Sequence, residues 1–276
     1  MNSPHFFEFE RSGLKYRISL DDDIYGPKFW EDFANRRYEP DTQSLVEAFC
    51  DEETIFLDIG AAYGCMSLLA ASSGATVYSY EPNPLVFRGL TKNALLNKSI
   101  GSPIQLFNQA VSSKSGFLDL NVNEPSRILS PIVFTNWQSK SKVEIVGLTE
   151  IVKSLQSELL KNLKILIKMD IEGAEWEILR DSATLRILKT TQSTLILALH
   201  PGLQRPPKSI SSTIGRLRFY WWNIRNILDS WFLFKRVSPY CLIYRTNLNQ
   251  VRRPSMFCLL VLAGNHEFVF SFGEKN

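Results

Sequence analysis

With 276 residues, 45% of them apolar and 21% charged, the chain is long enough to bury a sizeable core and too apolar to be mostly disordered. Its 31 Lys and Arg face 28 Asp and Glu, a net charge of +3, without the dense basic stripe that marks a nucleic-acid binder. Charges throughout Met1–Arg17 argue against a secretory signal, and no run of about 18 uncharged apolar residues argues for a spanning helix.

In chain order, Phe6–Leu20 reads as a hairpin, Asp21–Asp23 as an acidic turn and Thr42–Phe49 as a helix. Residues 1–53 are thus expected to form an N-terminal extension covering one end of a sheet, and residues 54–276 a ligand-binding domain. That domain opens with Thr54–Gly60, a nearly all-apolar strand of the kind covered on both faces. A helix over Ala61–Ser73 is stopped by Gly74, and a second strand, Thr76–Glu81, is closed by Pro82. Asn83 and Pro84 start a helix to about Asn97, since proline suits a first helical turn. Ile104–Val111 reads as the third strand and Phe117–Val122 as a short one, whereas Asn123–Ser141 is the least regular stretch. Leu148–Leu160 follows as a helix, Lys164–Asp170 as a strand, Ala174–Arg180 as a helix and Thr194–Leu199 as a buried strand. An aromatic helical insertion at about 210–236 precedes two strands, Tyr240–Tyr244 and Met256–Ala263, expected as a terminal hairpin. Strands alternating with helices predict a doubly wound α/β fold with a mainly parallel sheet.

The chemistry concentrates in Phe56-Leu-Asp58-Ile-Gly60-Ala-Ala-Tyr-Gly64, a strand ending in an acid, a turn with glycines four apart, then a helix. Ligands of such sheets bind at the carboxyl ends of the strands, where the strand order reverses. Gly60 and Gly64 permit close backbone approach there. Asp58 is placed to face an amine, and Glu81, at the end of the second strand, to accept from both hydroxyls of a ribose. A dinucleotide fingerprint needs G-x-G-x-x-G, but Ala62 and Cys65 occupy its second and third glycine positions. The spacing suits a nucleoside without pyrophosphate.

These segments, with Tyr38-Glu-Pro40, Tyr80-Glu-Pro-Asn-Pro84, Asn108-Gln-Ala-Val-Ser112 and Lys168-Met-Asp-Ile-Glu-Gly-Ala-Glu175, resemble the FkbM family of S-adenosylmethionine-dependent methyltransferases. The resemblance covers about residues 38–202, and Ala62 stands where the family usually has asparagine. It implies a class I (Rossmann-like) sheet of seven strands, the last antiparallel, and methyl transfer to an oxygen of a sugar, glycan or other small metabolite. It also implies S-adenosylmethionine contacts from Asp58, Gly60, Ala61, Tyr63, Gly64, Glu81, Pro82, Asn83, Asn108, Ala110 and Asp170.

Asp170, Glu172 and Glu175 follow a buried strand and are expected at the same sheet edge. Asp170 is the first candidate for the carboxylate near the transferred methyl group; Glu172 and His200 are further catalytic candidates, and Glu175 equally suits a charge at a helix start. Three acids in a row are no specific metal signature, and Cys50, Cys65, Cys241 and Cys258 lack ligand spacing, so no metal is expected. The thiols read as free and buried, in a reducing, cytoplasmic setting. Arg216–Phe234 admits three readings: a lid over the acceptor, a helix against the sheet edge, or a membrane contact. The alternatives to a methyltransferase are a nicotinamide-dependent oxidoreductase and a non-catalytic module binding a glycan or membrane.

Overall fold

The computed structural model describes residues 6–21, 23–121, 140–155, 163–171, 175–199, 235–240, 242–245 and 266–273, with single positions between 217 and 232. The chain opens with the hairpin β1 (Phe6–Arg11) and β2 (Leu14–Ser19), then α1 (Gly26–Ala34) and α2 (Pro40–Phe49). The central units follow: β3 (Thr54–Ile59), α3 (Cys65–Ser72), β4 (Thr76–Tyr80), α4 (Pro84–Leu96) and β5 (Ile104–Phe107). Next come β6 (Gln109–Ser112), β7 (Gly116–Asn121), β8 (Lys140–Gly147), α5 (Leu148–Ser154) and β9 (Lys164–Met169). The described elements end with α6 (Glu175–Arg180), α7 (Ser182–Thr190), β10 (Thr194–Leu199), β11 (Leu242–Arg245) and β12 (His266–Ser271).

Seven strands form one sheet in the order β11-β12-β10-β9-β3-β4-β5. The run from β10 to β5 is parallel, and β12 lies antiparallel between β10 and β11. This is the doubly wound arrangement expected, with the last strand reversed. The order turns back at β3, between β4 and β9, so the crevice for a ligand opens at the carboxyl end of β3.

Among the described residues, strand alternation gives the large sheet a core on each face. Ile55, Leu57 and Ile59 of β3 join Ile165, Ile167 and Met169 of β9 on the face covered by α5, α6 and α7. Phe56, Val77, Leu166 and Ile196 point the other way, into α3 and the first fifty residues. Tyr16 and Ile18 of β2, Trp30 and Phe33 of α1, and Leu45 and Val46 of α2 all pack in this second cluster. The extension therefore covers a face of the sheet, where an end was expected. Each fully buried side chain of this size contributes about 2–3 kcal/mol through apolar area removed from water.

Local chemistry sets the boundaries. Asn83 caps α4 by accepting from the Leu85 N–H at 2.9 Å, and Pro84 takes the first helical position. Asp181 caps α7 through the Thr184 N–H at 2.7 Å. The expected strand Ile104–Val111 breaks at Asn108: β5 belongs to the large sheet, and β6 to a small sheet ordered β6-β8-β7. At the break the Asn108 amide donates to the carbonyls of Glu81 at 2.8 Å and Pro82 at 3.1 Å. The helix expected from Ala61 starts only at Cys65, because Gly60, Ala62 and Gly64 have φ of 80°, 49° and 89°. The strand expected over Met256–Ala263 lies outside the described residues, and the partner of β11 is β12.

Candidate active site

A cavity of about 190 Å³ lies at the carboxyl ends of β3, β4 and β9. Its floor is the turn after β3. A Cβ at Gly60 would sit 2.2 Å from the Asp170 carbonyl oxygen, so the missing side chain lets the β3 and β9 ends touch. The glycine is thus required by the protein's own backbone, a reason beyond ligand approach. Gly64 caps α3 behind the cavity, and its φ of 89° excludes a side chain as much as Leu90 does.

Glu81 follows β4 and is 3% exposed. Its Oε2 accepts from the Ala62 N–H at 3.0 Å and its Oε1 from the Asn83 N–H at 2.8 Å. Burial pushes its carboxyl up to about 7, against the two backbone donors and Lys168, which pull it down. Each oxygen keeps a lone pair beyond those N–H groups, and the residue lines the cavity.

Asp58 is buried at the end of β3, and its Oδ2 accepts from the Ser67 hydroxyl at 2.5 Å. Its Oδ1 is buried with no hydrogen-bond partner. Burial raises its pKa, opposed chiefly by the charge of Lys168. Lys168, one register position across in β9, lies 3.6 Å from Asp170 Oδ2 and is 8% exposed. A cation on a central, covered strand thus stands between two acids.

Of the residues expected to contact the cofactor, Asp58, Gly60, Ala61, Tyr63, Glu81, Pro82, Ala110 and Asp170 line the cavity. Gly64, Asn83 and Asn108 do not; they cap α3, cap α4 and pin the Glu81–Pro82 backbone. Glu175 has a structural partner: buried, it accepts from the Ile171 N–H at 2.8 Å. Glu172 and His200 lie outside the described residues. Lys168, Tyr25, Phe29, Tyr38 and Glu39 line the cavity without having been assigned a role from sequence. Tyr25 stacks on Phe29 with centroids 4.5 Å apart, and Phe29 meets Tyr38 edge-on at 4.7 Å.

Cys50 and Cys65 are free and buried. Within 214–234, Leu217, Trp221, Ile224, Leu228 and Phe232 are exposed, while Trp231 packs against the core with the Lys235 ammonium 3.9 Å from its ring centre. Among the described residues, no helix is long and apolar enough to cross a membrane.

The sequence model described as the methyltransferase FkbM domain matches residues 58–205, from the Asp58 turn past the end of β10. The chain belongs to the FkbM methyltransferase family. A curated relative, hexuronic acid methyltransferase AglP of Haloferax volcanii, is 27% identical over 188 residues, 66% of this chain and 70% of the relative. Similar solved structures include P. horikoshii TYW2 in complex with MeSAdo, 13% identical with a TM-score of 0.39, covering 98% of this chain and 71% of that one. A second is an Agrobacterium tumefaciens SAM-dependent methyltransferase, 11% identical with a TM-score of 0.41, covering 100% of this chain and 72% of that one. The seven-stranded order is the class I methyltransferase sheet. The FkbM match begins at Asp58, so Tyr25, Phe29, Tyr38 and Glu39 reach the cavity from outside the matched segment.

Proposed function

We propose that this FkbM methyltransferase uses S-adenosylmethionine to methylate a hydroxyl of a sugar, glycan or other small metabolite. Glu81 carries the reading: a buried carboxylate, fixed by two backbone N–H groups, turns its remaining lone pairs to a cavity at the switch point of the sheet. That is the acceptor a ribose diol needs. The Asp58 Oδ1 atom, buried without a partner, fits a cationic tail beside it.

When bound, the cofactor supplies an electrophilic methyl on sulfonium; the chain supplies orientation and a place for the acceptor's proton. Asp170 lines the cavity with its carboxylate held by the Lys168 ammonium, and takes the hydroxyl proton as general base. The aromatic residues Tyr25, Phe29 and Tyr38 give an apolar wall against which an acceptor ring can pack. The relative named for hexuronic acid favours a sugar acceptor.

Incubation with methyl-labelled S-adenosylmethionine and a panel of hexoses, hexuronic acids and their glycosides tests the reading. Label that survives mild alkali marks an ether on a hydroxyl and supports it. Label released by alkali marks an ester and moves the site of transfer to a carboxylate. Transfer to none of these, with transfer to an amine acceptor, overturns it.

A further inference from the structure

Among the described residues, two carboxylate oxygens in the cavity are buried with no hydrogen-bond partner: Oδ1 of Asp58 and Oε2 of Glu39. Asp58 lies near the end of β3, where the family-matched segment begins, and Glu39 comes from the turn between α1 and α2. Cys65 lines the same cavity, and after burial itself the charges of Glu39 and Asp58 push its thiol upward. The Lys168 ammonium makes its ion pair with Asp170 and acts on Asp58 through its charge, without donating to Asp58 Oδ1. A pair of buried acceptor oxygens suits a cationic ligand with several N–H donors, and a primary ammonium has three.

The turn that carries Glu39 is built to stay in place. Glu39 has φ 42° and ψ 56°, a left-handed conformation unusual for a residue with a long side chain. Its carbonyl accepts from the Gln43 N–H at 3.0 Å. The Gln43 side-chain amide donates to the Tyr38 carbonyl and accepts from Arg11 of the hairpin. Arg11 and Arg36 both pair with Glu47 at 2.7 Å. Strain at a cavity-lining acid, held by a buried polar network, is a pattern of sites that present a group to a ligand.

We propose that Glu39 and Asp58 together hold the methionyl ammonium of S-adenosylmethionine, so that the N-terminal extension supplies half of the amine site. This rests on the cofactor reading above and adds a residue to it.

The test compares two ligands by isothermal titration, with the wild-type chain and Glu39→Gln. S-adenosylhomocysteine carries the ammonium, and 5′-methylthioadenosine lacks the whole amino-acid tail. For Glu39→Gln the expected result is about tenfold or greater weakening of S-adenosylhomocysteine, with 5′-methylthioadenosine unchanged. Equal binding of S-adenosylhomocysteine by both proteins overturns the proposal, as does equal loss of both ligands. Failure of the wild-type chain to bind either ligand would instead overturn the cofactor reading itself. Glu39→Asn, whose side chain tolerates the left-handed turn, is the second variant, and the same selective loss is expected of it.

Discussion

Binding of the nucleoside should depend on pH through Glu81. Burial pushes its carboxyl up to about 7. A ribose diol donates to the ionised form, so binding draws on the ionised fraction. That fraction is about one in eleven at pH 6 and about ten in eleven at pH 8, so affinity should rise about tenfold across this interval. The assay is titration of 5′-methylthioadenosine at several pH values, a ligand with no amine to titrate in that range. Glu81→Gln should bind weakly and lose the slope. Equal wild-type affinity at pH 6 and pH 8, or the same slope in Glu81→Gln, would refute the reasoning. The ligand-free fold should show the opposite trend. A carboxyl raised from 4.5 unfolded to about 7 folded favours the neutral form, so its stabilisation is fully present below about pH 4.5 and lost as pH rises through 7. The upper limit of that effect is about 3 kcal/mol, read as the difference in unfolding between wild type and Glu81→Gln across pH.

Asp170→Asn should lower turnover by about 10²–10⁴-fold while leaving 5′-methylthioadenosine affinity unchanged, measured with labelled cofactor and a hydroxyl acceptor. An intact rate would remove Asp170 as the base. Gly60→Ala would set a methyl 2.2 Å from the Asp170 carbonyl at a φ of 80°, and should destabilise the chain by about 3 kcal/mol or more in thermal unfolding. Ala62→Gly relieves a φ of 49° and should stabilise by about 1 kcal/mol, seen as a rise of a few degrees in Tm. Arg11→Met leaves Glu47 and Gln43 without their buried donor and should cost about 2–3 kcal/mol in denaturant unfolding.

The strands that position the site were legible because each is an apolar run bounded by turn residues, as at Thr54–Gly60 and Thr194–Leu199. Glu81 and Asp58 were legible because an acid at the end of such a strand has no packing reason to be there. Other elements were hidden. β8 alternates Lys142 and Glu144, exposed, with the buried Val143, a half-wet strand whose charges mask its period. α1 buries only Trp30 and Phe33, three apart, too sparse for a clear stripe. In β12 the apolar Phe268–Phe270 is shorter than the run at Met256–Ala263, which drew the strand assignment upstream. Lys168 carried a signal of its own: a cation in the interior of a central covered strand demands a counter-charge. Tyr38 and Glu39 stood in a segment of the family resemblance without a role attached, and Tyr25 and Phe29 carried no signal, since nothing local says that the hairpin folds its following helices onto a cavity built later in the chain.

The segment recognised by the family begins at residue 58, but the fold does not. A chain trimmed to that boundary would lose β3's opening residues and bare the surface under Tyr16, Ile18, Trp30, Phe33, Leu45 and Val46, turning an interior into a sticky exterior. Swapping domains between relatives to change what is methylated should therefore carry the first fifty residues along, because they are wall and roof of the same room.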